Sequence, residues 1–392
     1  MFAQTHRLRK FAAWLLIVPA MAILAACQTG IGLGGSGPSI NTRAAVPVAL
    51  LVPQGSADTN EQRLAQDLEN AARLAVSDLS GVQIDLRVYP TAGNPGKAQE
   101  AAAQAVGDGA KIIIGPLRGE SATAAAQAAA GRGVNVLAFS NNAAIAGGNL
   151  FVLGQTFDST ANRLVSYAAS QGKSRVMTVY ANNQTGRVGK VAIDRAIAAN
   201  GALSAGNVAH EFSQQAVINA IPSIRDTAET NQANAIFFTA NTAGALPLFS
   251  QLLPEAGVDP AETQYIGLAR WDTPPQTLEL PGVQGGWFAL PDPQRNAQFQ
   301  TRYQAAYGNP PHALAGLAYD GIAAVGALVS SGQSNALTIA SITQPAGFQG
   351  VNGVFRFLPD GTNERALAVA TIEEKQVVVI SPAPTSFGAP GF

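Results

Sequence analysis

Cysteine, histidine and charge are all scarce in this chain. It has one cysteine and three histidines in 392 residues. A single thiol rules out an intrachain disulfide, and with so few histidines a Cys/His zinc site lacks its ligands. His6, His210 and His312 stand in no pattern that supplies a general base. Gly119-Glu120-Ser121-Ala122-Thr123 is no nucleophile elbow either, because the second glycine is missing. The chain is therefore expected not to be an enzyme, and to need no cofactor or metal. Charged residues make up only 12%, with 24 basic against 25 acidic side chains, and no Lys/Arg run occurs after residue 10. Phosphate backbones need a basic patch, so nucleic acid is excluded as a partner.

What the chain does have begins with an N-terminal address. Arg7, Arg9 and Lys10 precede an apolar stretch from Phe11 to Ala26. At about 16 residues that stretch is short for a membrane span. It ends in Leu24-Ala25-Ala26-Cys27, which looks like a bacterial lipobox. Residues 1–26 are read as a lipoprotein signal peptide, with Cys27 as the lipidated first residue of the mature chain. Lipid chains on that residue would give a durable membrane anchor. Gln28 stands where an Asp would signal inner-membrane retention, which favours the outer membrane. Residues 27–45 are read as a flexible Gly/Ser-rich tether.

From Val46 onward strands and helices alternate, the mark of parallel sheets covered on both faces. The organising stretch is Lys111 to Asn142. Ile112-Ile113-Ile114 reads as a doubly buried strand, Ala122 to Ala130 as a helix with Ser121 at its N-cap, and Val134 to Phe139 as a second strand. Ligands in such folds bind beyond the carboxyl ends of the strands, which points to the turns 116–121 and 140–142. A second β/α series runs from Ser174 to Leu290, with Asp158 as a cap for the helix that precedes it. Helices at 298–307 and 312–329 return to the first lobe. The segments 353–358 and 366–372 read as a hairpin, and 376–380 as a last strand. The fold class is α/β, two Rossmann-like lobes joined by a hinge. The first lobe comprises 46–155 and 291–345, the second 156–290 and 346–380, and 381–392 is a loose tail. Crossings between lobes are expected near 151–158, 286–293 and 345–352.

The segments IIIGPLRGESATAAAQAAA, GVNVLAFSNN, FVLGQTFDSTANRLVSYA, ALAGLAYDGIAAVGAL and GVNGVFRFLPDGT follow one another in the order of the type I periplasmic binding-protein fold. The chain from Val46 to about Ile380 resembles the leucine-binding-protein branch of that fold. Within it, the lipobox, tether and GPL turn look most like the lipoprotein activators of penicillin-binding proteins, although only the tether stands where the best-known activator has a helical-repeat domain. The resemblance implies a cleft in which Ser121, Ser140 and Asn141 meet a ligand carboxylate, while Trp271 and Asp272 from the second lobe meet an ammonium. Asn182-Asn183-Gln184-Thr185 occupies the loop where binders often carry a tyrosine. Asp320 resembles a family position. The residues themselves leave other roles open: Ser121 as a cap, Trp271 and Trp287 as packing, Asp320 as a structural acid. Two functions follow. One is docking on a peptidoglycan synthase, a penicillin-binding protein. The other is delivery of an amino-acid-like or amide ligand to an ABC permease.

Overall fold

The computed structural model describes residues 37–388; Cys27, the signal peptide and residues 28–36 lie outside them, as do 389–392. Five strands build the first sheet, with three helices threaded between them: β1 (Val46–Val52), α1 (Thr59–Asp78), β2 (Ile84–Pro90), α2 (Pro95–Gly107), β3 (Ile112–Ile114), α3 (Gly119–Ala130), β4 (Asn135–Ala138) and β5 (Leu150–Val152). Every pairing is parallel, in the order β2-β1-β3-β4-β5. The period of two along β1 divides the core. Val48, Leu50 and Val52 bury on one face, Ala49 and Leu51 on the other. Alanines of α2 and α3 cover the second face, and their small side chains let both helices lie close to the sheet.

The second series runs α4 (Phe157–Ser170), β6 (Arg175–Ala181), α5 (Gln184–Ala199), β7 (Leu203–His210), α6 (Gln214–Thr230), β8 (Ala235–Phe238), α7 (Leu246–Glu255), β9 (Gln264–Gly267) and β10 (Trp287–Leu290). Then α8 (Pro293–Tyr307) and α9 (Ala315–Val329) return to the first sheet. Phe299, Tyr303 and Leu317 from these helices pack in the cluster that holds Val48 and Leu50. A small antiparallel sheet follows, β11 (Phe348–Gly350), β12 (Gly353–Phe357) and β13 (Asn363–Arg365), and then β14 (Ala368–Glu373) and β15 (Gln376–Ser381). These last two strands extend the second sheet, ordered β15-β14-β10-β9-β8-β6-β7. The β10–β14 and β14–β15 pairs are antiparallel. The whole is an α/β architecture of two lobes.

Several expectations are corrected. The chain crosses between lobes at 153–156, 291–292 and 366–367, so the third crossing lies some way beyond 345–352. The cause is apolar: Phe348, Phe355 and Phe357 bury in the first lobe's core, which takes 348–365 from the second lobe. The expected hairpin between 353–358 and 366–372 is replaced by two: β12 with β13, and β14 with β15. The end of the tether is not free. Ile40 is buried in the first lobe's core, and its N–H donates to the Ser334 carbonyl at 2.9 Å. Nor is the start of the tail loose. Arg163 donates to the Ser381 hydroxyl at 2.7 Å, and Arg356 lies 4.4 Å over the Phe387 ring. Thr156, not Asp158, caps α4, and Asp158 instead pairs with Arg195 from the helix's first turn.

Candidate functional site

A cleft of ≈ 740 Å³ opens where the two lobes meet. The carboxyl ends of parallel strands from both sheets shape it. Phe139, Ser140 and Asn141 follow β4; Asn241 and Thr242 follow β8; Arg270 follows β9. Sheet polarity explains the placement, since side chains just past the strand ends escape both layers of covering helices. The crossings close the floor of the cleft with Gly154, Pro291 and Leu367.

Arg365 lies in that floor and is 6% exposed. Its Nη1 donates to Asp320 Oδ2 at 2.9 Å, while Nε and Nη2 donate to the Leu153 carbonyl at 2.9 and 2.6 Å. One guanidinium thus ties α9 to the first crossing from a strand that leads into the third. Asn363 reinforces the joint by donating to the carbonyls of Val152 and Gly154 at 2.7 and 2.8 Å. Asp320 is fully buried and also accepts the Val351 N–H at 2.8 Å. Burial pushes its carboxyl up, and the Arg365 guanidinium, the Val351 N–H and Asn352 oppose that shift. An amide ladder leads from the cleft wall toward this pair. Gln300 donates to Asn296 at 2.6 Å, and Asn296 donates to Asn352 at 2.9 Å.

The sequence-derived residues are distributed unevenly around the cleft. Ser140 and Asn141 line it, and the Ser140 hydroxyl accepts the Asn142 N–H at 3.1 Å. Ser121 does not cap α3. The helix begins at Gly119, three residues before the expected Ala122, with Arg118 as its cap residue. Ser121 is left buried inside the first turn, with a hydroxyl that has no partner, behind the lining of the cleft. Trp271 is fully buried. Its indole fits against the bare α-carbons of Gly267 and Gly286, where an added Cβ would lie 2.3 and 2.2 Å from the ring. It is a core residue of the second lobe. Asp272 is held by its neighbour but one: Arg270 Nε and Nη2 grip its two oxygens at 2.9 and 2.5 Å. The fork leaves Arg270 at the cleft and Asp272 behind it. Asp320 supports the cleft through Arg365 rather than facing it.

Arg270, Arg365 and the amide ladder were not singled out by sequence. Arg270 had a usable signal, the first charged residue after the strand Gln264–Gly267, three positions past its end. Arg365 had none, since its partner Asp320 is 45 residues away.

The geometry has close parallels. The periplasmic binding protein family model matches residues 45–376. No curated protein matches. Among solved structures, a protein described as a branched-chain amino acid ABC transporter from Rhodospirillum rubrum superposes with a TM-score of 0.72 at 18% identity, over 86% of this chain and 100% of that one. A branched-chain amino acid ABC transporter periplasmic ligand-binding protein from Burkholderia xenovorans LB400 gives 0.67 at 17% identity, over 86% and 96%. An ABC transporter substrate-binding protein from Desulfitobacterium hafniense in complex with Leu gives 0.61 at 18%, over 86% and 100%. At those identities the likeness shows the fold, that of the type I binding proteins. With the family model spanning nearly all of the described residues, the chain belongs to the periplasmic binding protein family.

Proposed function

We propose that this chain is the solute-binding component of an ABC importer, non-catalytic, facing the periplasm and held to a membrane by lipid on Cys27. The observation that carries the reading is the cleft. It is walled by both lobes, it lies at the strand ends, and three short crossings allow the lobes to move about it. Its volume suits a small organic molecule. The similar solved structures are described as ABC transporter proteins. No described helix is long and apolar enough to cross a membrane. In this reading the lipobox Leu24-Ala25-Ala26-Cys27 supplies the anchor. Mass spectrometry of the membrane fraction tests this: the expected N-terminus is a diacylglyceryl Cys27, and an unmodified Cys27 or cleavage elsewhere contradicts it.

A second reading, docking on a peptidoglycan synthase as a penicillin-binding protein activator, draws on one specific observation. Asp272, the acid offered for a ligand ammonium, is already paired with Arg270. Affinity capture with the full chain from envelope extract, run beside calorimetry against a solute library, separates the two. Saturable solute binding without a retained synthase supports import. A retained synthase with no solute bound supports docking.

A further inference from the structure

We infer that the cleft takes a small organic carboxylate that carries no ammonium group, an inference that rests on the solute-binding reading above. Among the described residues, no Asp or Glu lines the cleft. Four acids bonded to lining residues stand behind its wall, each engaged. Asp272 is gripped at both oxygens by Arg270. Asp320 serves Arg365 and the Val351 N–H. Asp67 accepts the Tyr303 hydroxyl at 2.8 Å and the His312 N–H at 3.0 Å. Asp292 caps α8 through the N–H groups of Gln294 and Arg295. A ligand ammonium brought into this cleft would lose its water and meet no carboxylate, and an unpaired desolvated charge is strongly unfavourable.

A ligand carboxylate meets the opposite situation. Arg270 spends Nε and Nη2 on Asp272, and its Nη1 edge remains as a donor; the side chain is 41% exposed. The pairing with Asp272 also fixes the guanidinium plane, so little side-chain freedom is lost when a ligand docks. Across the lobe boundary stand Asn141 and Ser140; the Ser140 hydroxyl accepts the Asn142 N–H and keeps its own proton to donate. On the first-lobe side His312 Nδ1 accepts the Leu314 N–H at 3.1 Å, which places the ring proton of the neutral imidazole on Nε2 as one more donor. The cleft therefore offers donors from both lobes, and an anion bridging them favours closure.

The test is calorimetry on the full chain with probes that differ by one group: 4-methylpentanoate against leucine, phenylacetate against phenylglycine, and 4-methylpentanamide as the uncharged control. The expected result is that at least one carboxylate binds about tenfold or more tighter than both its amino counterpart and its amide, a difference of about 1.4 kcal/mol or more. Arg270→Gln should remove that preference while leaving the amide unaffected. Amino acids binding as tightly as the plain acids would overturn this inference and leave the solute-binding reading intact. An amide equal to its acid would overturn the role of charge. Silence from every probe would overturn this inference, and the solute library described above then decides the reading beneath it.

Discussion

Arg365 in the floor of the cleft and Asp320 behind it lie 2.9 Å apart, with side chains 4% and 0% exposed. The pair joins the helix behind the cleft to the segment where the chain crosses for the third time. Breaking it on one side strands a charge that water cannot reach. Asp320→Asn is expected to cost about 3–5 kcal/mol in urea unfolding, whereas Asp320→Leu combined with Arg365→Met should recover much of that loss. A single-variant cost below about 1 kcal/mol would show that the pair is better solvated than its burial indicates.

Acid should weaken the second lobe through His210. Its Nδ1 lies 3.0 Å from the Glu211 carbonyl, its ring meets Phe249 edge-on, and Nε2 is buried with no hydrogen-bond partner. Burial holds its pKa below the ordinary 6.5, partly opposed by Glu211. The unfolded chain then binds the proton more readily than the folded one. The stabilisation is full above pH 6.5 and is lost as pH falls from there through the lower folded value. Thermal unfolding of the parent and His210→Phe across that range checks the sign. The parent's midpoint should drop more steeply on acidification, and parallel curves would contradict it.

The segment just before β1 is expected to act as part of the core. Ile40 is 5% exposed among first-lobe side chains, and Ile40→Ala should cost about 2–5 kcal/mol in chemical unfolding. A cost near zero would return residues 37–45 to the role of a free tether.

How much of this was legible in the sequence follows from the range of the forces involved. The parallel sheets were readable because Ile112–Ile114 and the alanine runs of α2 and α3 carry their burial locally. Ser140 and Asn141 were readable because a polar turn directly after a buried strand must emerge at its carboxyl end. The α3 cap lies three residues before Ser121, at Arg118, and the acidic Glu120, favourable in a first turn, falls inside the helix. Ile40 was hidden by its Gly/Ser/Pro neighbours. The third crossing and Arg365 depended on contacts between distant segments. Phe355 and Phe357 choose the first lobe only because its core already holds Phe348 and Phe151, a choice invisible from the strands themselves.

Trp271 provides a packing test. Gly267→Ala would set a methyl 2.3 Å from the indole Nε1, forcing the ring to shift. The expected cost is about 1–3 kcal/mol, with a change in tryptophan emission of the folded protein. Unchanged stability and emission would mean that the indole is not confined as the structure has it.

Whether the cleft holds a solute separates import from docking. Titration calorimetry of the full chain against a library of small organic solutes decides it. One-to-one saturable binding of at least one solute, weakened about tenfold or more by Arg270→Ala, is the predicted result. An absence of saturable binding across the library would contradict it, whereas binding of every solute left unchanged by Arg270→Ala would remove Arg270 from the site.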